Sequence, residues 1–323
     1  MRFVILYALF CLSVNLQAQF HSEKLLRPQL MVTYENRFTQ SYNQSDKNLS
    51  FLQYFGSFSY PVINRINKAN TQGTFKFTGL TLFVQAARNN MNDDLLGDSR
   101  NLYQTQAGFD FIFIPGNKFY YQLTGKAHRL CDNKRPDINL QYTGLALLHY
   151  FIKPVTLHGG IARTMALGHM QLTPVGGISI YWKPNWQLHI LYPFIAQLRK
   201  NISTQMAVAL FVKADGMLYD ITNENNFANA GSTIALEQKV YAGGLQLNYD
   251  FDDHWQVFAE GGSLFNAAHA YKFEKLTLVQ SNLKNGWFAK AGIAFRFGPQ
   301  PRFGKNHGAN FILDYDITNM HCN

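Results

Sequence analysis

Apolar and polar residues alternate with a period of two along much of the chain. In residues 241–251 the odd positions are apolar or aromatic apart from Gly243, and the even positions are small or polar. Residues 287–297, 254–262 and 205–213 repeat this pattern. Because successive side chains of a β-strand point to opposite faces, the pattern predicts strands with one apolar and one polar face.

Short turn sequences and longer polar connections separate these strands. The predicted tight turns are Pro115-Gly116-Asn117, Lys153-Pro154, Lys183-Pro184-Asn185, Asp215-Gly216 and Asp252-Asp253. The predicted longer connections are 129–137, 195–203, 224–236 and 263–282. Short periplasmic turns and long external loops are typical of outer-membrane barrels.

The sequence therefore predicts an all-β fold, a transmembrane up-and-down antiparallel β-barrel of about 14 strands. The predicted strands are 29–39, 49–61, 75–88, 102–114, 117–129, 138–152, 155–163, 173–182, 186–193, 203–213, 217–224, 237–250, 254–263 and 283–297. The patterns at 29–39 and 217–224 are the weakest, so a barrel of about 12 strands is the alternative. An even number of strands places both chain ends on the periplasmic side.

A β-sandwich also alternates with a period of two, so the residues near the strand ends distinguish the two folds. Aromatic residues lie near the ends of the apolar faces: Trp182, Trp186, Tyr192, Tyr241, Tyr249, Trp255 and Trp287. Aromatic girdles at both membrane interfaces are a feature of barrels. The opposite faces are rich in Gly, Ala, Gln and Asn, which suits a crowded, wet lumen.

The N-terminus predicts export. Residues 1–18 combine Arg2, a short apolar run and Ala18, as in a secretory signal peptide. The apolar run is shorter than the roughly 20 residues that a membrane-spanning helix needs. We expect residues 19–297 to form the barrel and 298–323 to form a periplasmic tail. The aromatic end of the last strand, Phe297, resembles the signal that the barrel-assembly machinery reads.

Composition agrees with a surface that faces lipid. The chain has 27 Phe, 17 Tyr and 4 Trp, and only 15% of its residues are charged, against about 25% in typical soluble domains. The net charge is +9, but export and the lack of a basic stripe disfavour nucleic acid as a partner. The expected partners are outer-membrane lipids, the barrel-assembly machinery and small solutes. We expect Cys11 to leave with the signal peptide, and Cys131 and Cys322 to be free thiols.

Three stretches resemble an uncharacterised family of outer-membrane β-barrel proteins of Bacteroidetes-type bacteria. The first is Tyr60-Pro61-Val62 with Gly79-Leu80-Thr81. The second, the most specific, joins Pro174-Val175-Gly176-Gly177, Trp182-Lys183-Pro184-Asn185-Trp186-Gln187-Leu188 and Tyr192-Pro193. The third is Tyr241-Ala242-Gly243-Gly244 with Glu260-Gly261-Gly262. The resemblance implies a barrel in the outer membrane. It implies no activity and no functional residues.

The sequence carries no pattern that predicts catalysis, a cofactor or a metal. The candidate histidines, His128, His149, His158, His169 and His189, have no partner at a diagnostic spacing. The Asn92-Asp93-Asp94 stretch with Asp98 offers the oxygen ligands that Ca²⁺ prefers, but a solvated extracellular loop is the favoured interpretation. We therefore predict that the protein is not an enzyme.

Strand alternation directs ionisable side chains into the predicted lumen. The candidate lumen-lining residues are Asp110, Lys126, His128, His149, His189, Lys213, Asp250, Glu260, Lys290 and Arg296. Glu260 and Lys290 lie on adjacent predicted strands, where they can pair. Such a mixed set predicts a narrow channel or uptake protein for small solutes, of unknown substrate. The alternatives are a structural or interaction barrel with a plugged lumen and a membrane-embedded hydrolase.

Overall fold

The computed structural model describes residues 27–298, with gaps at 44, 69–74, 96, 117, 133–139, 153, 183–184, 224–231 and 274–275. The predicted signal peptide at 1–18 lies outside the described residues, as do Cys11, Cys322 and the predicted tail beyond Gly298. In the described part of the chain, no helix has the length and apolar character needed to cross a membrane.

Within the described residues, sixteen strand segments form one continuous sheet. They are β1 (Gln29–Ser41), β2 (Asn48–Lys68), β3 (Phe75–Asp93), β4 (Asp98–Ile114), β5 (Phe119–Asp132), β6 (Gln141–Ile152), β7 (Val155–Thr164), β8 (Gln171–Trp182), β9 (Trp186–Tyr192), β10 (Ile195–Asn201), β11 (Met206–Ala214), β12 (Met217–Thr222), β13 (Thr233–Asp250), β14 (Trp255–Phe273), β15 (Leu276–Leu283) and β16 (Gly286–Arg296).

The sheet closes on itself as a barrel. Gln29 at the start of β1 pairs with Ser59 of β2 and with Arg296 of β16. β11 and β12 both pair with β13, and β15 and β16 both pair with β14, so each pair of segments occupies one position in the wall. The sixteen described segments therefore form a closed antiparallel barrel of fourteen strands. The predicted fold class is confirmed.

Three predicted details are wrong. Two of these errors cancel in the number of strands, because β10 was not predicted and β11 and β12, which share one position in the wall, were predicted as two strands. The predicted loop 195–203 contains β10, whose charged residues obscured the strand: Arg199 is buried in the lumen and Lys200 lies over the Trp186 ring. The predicted turn at Asp215-Gly216 instead joins β11 to β12, which continues in the same direction along β13. The predicted loop 263–282 contains most of β15 and the outer half of β14.

Two additional contacts close a smaller ring above the fourteen-strand section. Asp220 of β12 pairs in parallel with Cys131 of β5, and Tyr42 after β1 pairs with Leu283 of β15. We call this the outer ring: β12, β15 and the halves of β1–β5, β13 and β14 that lie away from the chain ends. The rest of the barrel, where both described chain ends lie, is called the wide section.

The two sections have opposite polarity. Outside the wide section the exposed side chains are apolar, among them Val32, Val84 and Leu245, whereas the lumen behind them is polar. The outer ring is polar on its outside and encloses an apolar cluster: Tyr42, Leu49, Phe51, Met91, Leu102, Leu130, Leu218, Tyr219, Ile221, Ile234, Leu236, Val240 and Tyr271. Because a buried aliphatic or aromatic side chain contributes about 1.5–3 kcal/mol, this cluster strongly stabilises the closed ring.

The β6–β10 sector is shorter than the rest of the wall and does not reach the outer ring. The connection between β7 and β8 covers the junction of β11 and β12 instead. Gly216 donates a backbone hydrogen bond to Ala166 O at 2.8 Å. A Cβ on Gly168, whose φ is +92°, would lie 2.9 Å from the Lys239 Cβ, so this close approach requires glycine.

Candidate functional site

The ten candidate residues from the sequence all point into the barrel, on the buried or half-buried face of their strands. Asp110, His128, His149, His189, Lys290 and Arg296 are buried. Lys126, Lys213, Asp250 and Glu260 are half-buried on the same inward face. They lie in separate groups rather than in one site, and each group has partners that the sequence did not indicate.

One group joins β1, β16 and the junction between β11 and β12 through four charged side chains. Arg37 Nε donates to Glu35 Oε1 at 2.8 Å, and Arg37 Nη2 donates to Asp215 Oδ2 at 2.6 Å. Lys290 Nζ lies 3.6 Å from Glu35 Oε2. Two cations therefore meet two carboxylates deep inside the protein, and the group is neutral. Removing one member of such a buried ionic group typically costs about 3–5 kcal/mol.

A second group lies beside it on β10, β11, β13 and β14. Lys213 Nζ donates to Glu260 Oε2 at 3.0 Å, and Gln246 Nε2 donates to Glu260 Oε1 at 3.2 Å. Gln197 Nε2 donates to Gln246 Oε1 at 3.0 Å. Glu260 and Lys290 are register partners on adjacent strands, as the sequence predicted. Lys213 and Lys290 thus flank one carboxylate, which joins the two charged groups into a continuous polar filling.

Two further candidate residues, Arg296 and Asp250, contact each other at the end of the barrel where both described chain ends lie. Arg296 Nη2 donates to Asp250 Oδ1 at 3.1 Å. Arg27 Nη1 donates to Gly298 O at 3.0 Å. These contacts fasten the first described residues to the last strand. They indicate a structural role at this rim.

A row of aromatic and polar side chains crosses β5–β9. The Tyr120 ring stacks on His149 at 3.8 Å between centroids. His149 Nδ1 lies 2.6 Å from His158 Nδ1, and Ser179 Oγ lies 2.8 Å from His158 Nε2 and 2.9 Å from His189 Nδ1. A serine between two imidazoles has the hydrogen-bonding partners that a nucleophile needs. However, the Ser179 residue is 0% exposed, so a substrate cannot reach its hydroxyl in this conformation.

The predicted acidic loop is not a solvated loop at its centre. Asp93 is 0% exposed and is held inside the outer ring. Its Oδ1 accepts from Tyr42 Oη at 2.9 Å and from Leu95 N at 2.8 Å, and its Oδ2 accepts from Tyr271 Oη. The preference for a solvated loop was therefore wrong for Asp93. Its carboxylate accepts hydrogen bonds that join β3 to β14.

A set of polar contacts secures β12 across the mouth of the barrel. Asp132 at the end of β5 accepts from Thr222 N at 2.7 Å and from Thr222 Oγ1 at 3.2 Å. Arg100 Nη1 donates to Thr222 O at 2.6 Å and lies 3.6 Å from Asp132 Oδ2. Tyr219 Oη accepts from Asn89 Nδ2. β12 therefore lies over the lumen as a strap fastened to β3, β4 and β5.

A cavity of about 90 Å³ lies between β5–β7 and β10–β11, beneath the covering β7–β8 connection. Three of the predicted lumen residues, Lys126, His128 and Lys213, line it. The other lining residues are Thr124, Thr143, Gly144, Leu145, Ala162, Arg163, Thr164, Met165, Ala166, Phe194, Ile195 and Ala214. Arg163 is exposed on the outer face of β7, on the same side of the strand as Ile161.

Sequence reasoning missed Glu35, Arg37, Asp215, Ser179 and the inward position of His158. Glu35 and Arg37 share a parity on the predicted strand 29–39, and this shared parity indicates that both side chains face the same side of the barrel wall. His149 and His158 are symmetric about the predicted turn at Lys153-Pro154, and they are register partners in the hairpin. Asp215 carried no such signal, because its position depends on β12 continuing along β13.

No family model matches this chain, and no curated protein sequence matches it. The structure is similar to the translocator domain of autotransporter NalP from Neisseria meningitidis, at 10% identity, TM-score 0.36, covering 84% of this chain and 88% of that one. It is also similar to an outer membrane channel from Pseudomonas putida F1, at 9% identity, TM-score 0.34, covering 88% and 97%. A third similar structure is Pseudomonas aeruginosa OpdQ, at 10% identity, TM-score 0.28, covering 84% and 98%. Likeness at this level carries no inference about activity.

Proposed function

We propose that this protein is an integral outer-membrane barrel. Exposed apolar side chains surround the wide section, with aromatic residues at two levels. On β16 the exposed Trp287 lies ten residues before the exposed Phe297. Ten residues at about 3.3 Å each, on a strand tilted by about 40°, span about 25 Å, which is the height of the apolar band of outer-membrane barrels.

Within the membrane, the filling of the lumen favours a structural or interaction barrel over an open pore. Several inward charges of the wide section lie in ion pairs, as Arg37 does with Glu35 and Asp215, and apolar side chains cluster inside the outer ring. A diffusion channel needs a continuous polar path through both sections. An apolar plug above a neutralised lumen is suited to anchoring a polar outer surface at the membrane.

Two measurements test this proposal. Membrane-extracted protein should run faster on a gel when unboiled than when boiled, and it should fractionate with the outer membrane. In planar bilayers the purified protein should show no steady conductance under conditions in which a general porin conducts. A soluble periplasmic protein with no gel shift would overturn the membrane assignment, and steady ohmic conductance would overturn the plugged lumen.

One observation favours a second candidate, a closed channel that opens for small solutes. The strap β12 is paired with β5 at a single residue pair, Asp220 with Cys131, among the described residues. Movement of β12 away from β5 would open the outer ring. Such a channel would conduct in brief bursts that stop when β12 is fixed to β5. Membership of the uncharacterised Bacteroidetes-type family stays a prediction.

A further inference from the structure

Two histidines on neighbouring strands converge inside the barrel. His149 of β6 and His158 of β7 are register partners, and their Nδ1 atoms lie 2.6 Å apart. The two residues are 0% and 6% exposed. A neutral imidazole has one nitrogen that donates and one that accepts, so a single proton lies between the two Nδ1 atoms. Two imidazoles that share one proton this closely are also placed to share a metal ion, for which neutral imidazole is the commonest protein ligand.

The distance between the two Nδ1 atoms distinguishes between metals. Histidine nitrogens lie about 2.0–2.1 Å from a bound Zn²⁺, and at the tetrahedral angle two of them are about 3.3 Å apart. At the right angle of tetragonal Cu²⁺ or Ni²⁺ and the same bond length, they are about 2.9 Å apart. The observed 2.6 Å is nearer to the second value, so a tetragonal ion needs the smaller movement of the rings. Among divalent first-row metals, Cu²⁺ also has the highest affinity for nitrogen ligands.

Neighbouring side chains hold both rings in place. The Tyr120 ring stacks on His149 with 3.8 Å between centroids and 6° between planes, so His149 can slide along Tyr120 without losing this contact. Ser179 Oγ lies 2.8 Å from His158 Nε2 and 2.9 Å from His189 Nδ1. When His158 Nε2–H donates to Ser179 and Ser179 donates to His189, the Nδ1 lone pair of His158 faces His149. A metal-bound histidine characteristically donates its second N–H to such a partner, which orients the ring.

An ion can reach the pair from the end of the barrel where both described chain ends lie. One further level of inward side chains separates the pair from this rim, formed by Phe151, Thr156, Tyr181 and Gln187. Phe151, Tyr181 and Gln187 are half-buried, so solvent contacts this level. A single ion needs a smaller gap than the substrate of a hydrolase, which would have to reach the fully buried Ser179.

We propose that His149 and His158 form a binding site for a divalent transition-metal ion, with Cu²⁺ preferred to Ni²⁺ and Zn²⁺. Both rings bind the ion through Nδ1, and the proton between them moves to the Nε2 atom of the ring that carried it, so both rings stay neutral. The described residues contain no group of three or more His, Cys, Asp or Glu side chains that could hold a metal, so water completes the coordination. The site does not depend on whether the lumen is plugged or gated.

Copper titration of the purified, untagged full-length protein in detergent tests the proposal. Because His21, His307, His321, Cys131 and Cys322 are also copper ligands by residue type, the background protein has alanine at these histidines and serine at these cysteines. At one Cu²⁺ per chain, its electron paramagnetic resonance spectrum should be that of a tetragonal ion with splitting from two nitrogens. Zn²⁺ should bind at least about tenfold more weakly than Cu²⁺. A spectrum without splitting from two nitrogens, or Zn²⁺ binding as tight as that of Cu²⁺, would overturn the assignment.

Variants of the background protein assign the signal to the pair. His149→Phe keeps an aromatic ring on Tyr120. His149→Phe and His158→Phe should each weaken Cu²⁺ binding by more than about 100-fold, because loss of an orienting partner alone costs about 10–100-fold. His128→Phe, at another buried inward histidine, should leave the binding unchanged. Each variant must keep the gel shift of a folded barrel. If either folded variant of the pair binds Cu²⁺ like the background protein, the pair is not the site; if neither folds, the two-nitrogen spectrum is the deciding measurement.

Discussion

The contact between β12 and β5 can be tested with a cysteine that the chain already carries. Cys131 and Asp220 are partners in a parallel pair, and their neighbours Leu130, Tyr219 and Ile221 are buried inside the ring. Both side chains therefore point to the outer surface. Paired strands lie about 4.8 Å apart, within the range of about 4.4–6.8 Å between Cα atoms that a disulfide spans. Asp220→Cys should therefore crosslink to Cys131 under mild oxidation.

The expected effect on stability is large, because residues 131 and 220 are 89 positions apart. In the chain-entropy model a loop of about 90 residues gives a stabilisation of up to about 4.6 kcal/mol. The assay is the temperature at which the unboiled gel band converts to the boiled position, in a Cys322→Ser background. The oxidised variant should convert at a higher temperature than its reduced form.

Two controls make the result specific. Asp220→Cys with Cys131→Ser should give no crosslink, and Ile221→Cys should give none because its side chain points into the apolar cluster. Complete failure of a folded Asp220→Cys variant to crosslink would refute the placement of β12 across the mouth of the barrel. If brief conductance bursts occur in the reduced variant and vanish on oxidation, the gated channel is favoured over the plugged barrel.

Further expectations follow from the buried groups. Glu35→Gln leaves Arg37 and Lys290 with one carboxylate fewer and should lower the free energy of unfolding in urea by about 3–5 kcal/mol; Glu35→Gln with Lys290→Met should recover part of it. Ile221→Ala should lower the free energy of unfolding by about 2–5 kcal/mol. If the apolar cluster plugs the lumen, this variant should also show new conductance events in planar bilayers. The backbone N–H groups of Trp255 and then His254 lower the pKa of the exposed Asp252 carboxyl, so its stabilisation of the β13–β14 turn is present at neutral pH and is lost as the pH falls through that lowered pKa. Asp252→Ala should reduce the acid-induced drop in the gel conversion temperature; an unchanged drop would contradict this.

The period-two pattern was sufficient for the fold class because it is a local property of the chain. Each strand of the wide section must present apolar side chains outward and polar ones inward, and residues 241–251 and 287–297 record that requirement directly. The inward positions of Lys213, Glu260 and Lys290 follow from the same parity. The alternation did not reveal β10, because both of its faces carry a charge. Arg199 points into the polar lumen, and Lys200 lies over an aromatic ring.

By itself, the sequence determined a closed antiparallel barrel with an apolar exterior and a charged interior. Only the tertiary structure decided how the interior is filled. In the outer ring the same strands point apolar side chains inward and polar side chains outward, which is the reverse of the wide section. The period-two alternation therefore continues through both sections, but the surroundings of the two strand faces are exchanged. This filling depends on contacts between β12 and β5, between Asp215 and Arg37 and between Asp93 and Tyr271. These partners lie far apart in the chain, and a pattern that repeats every two residues carries no information about such distances.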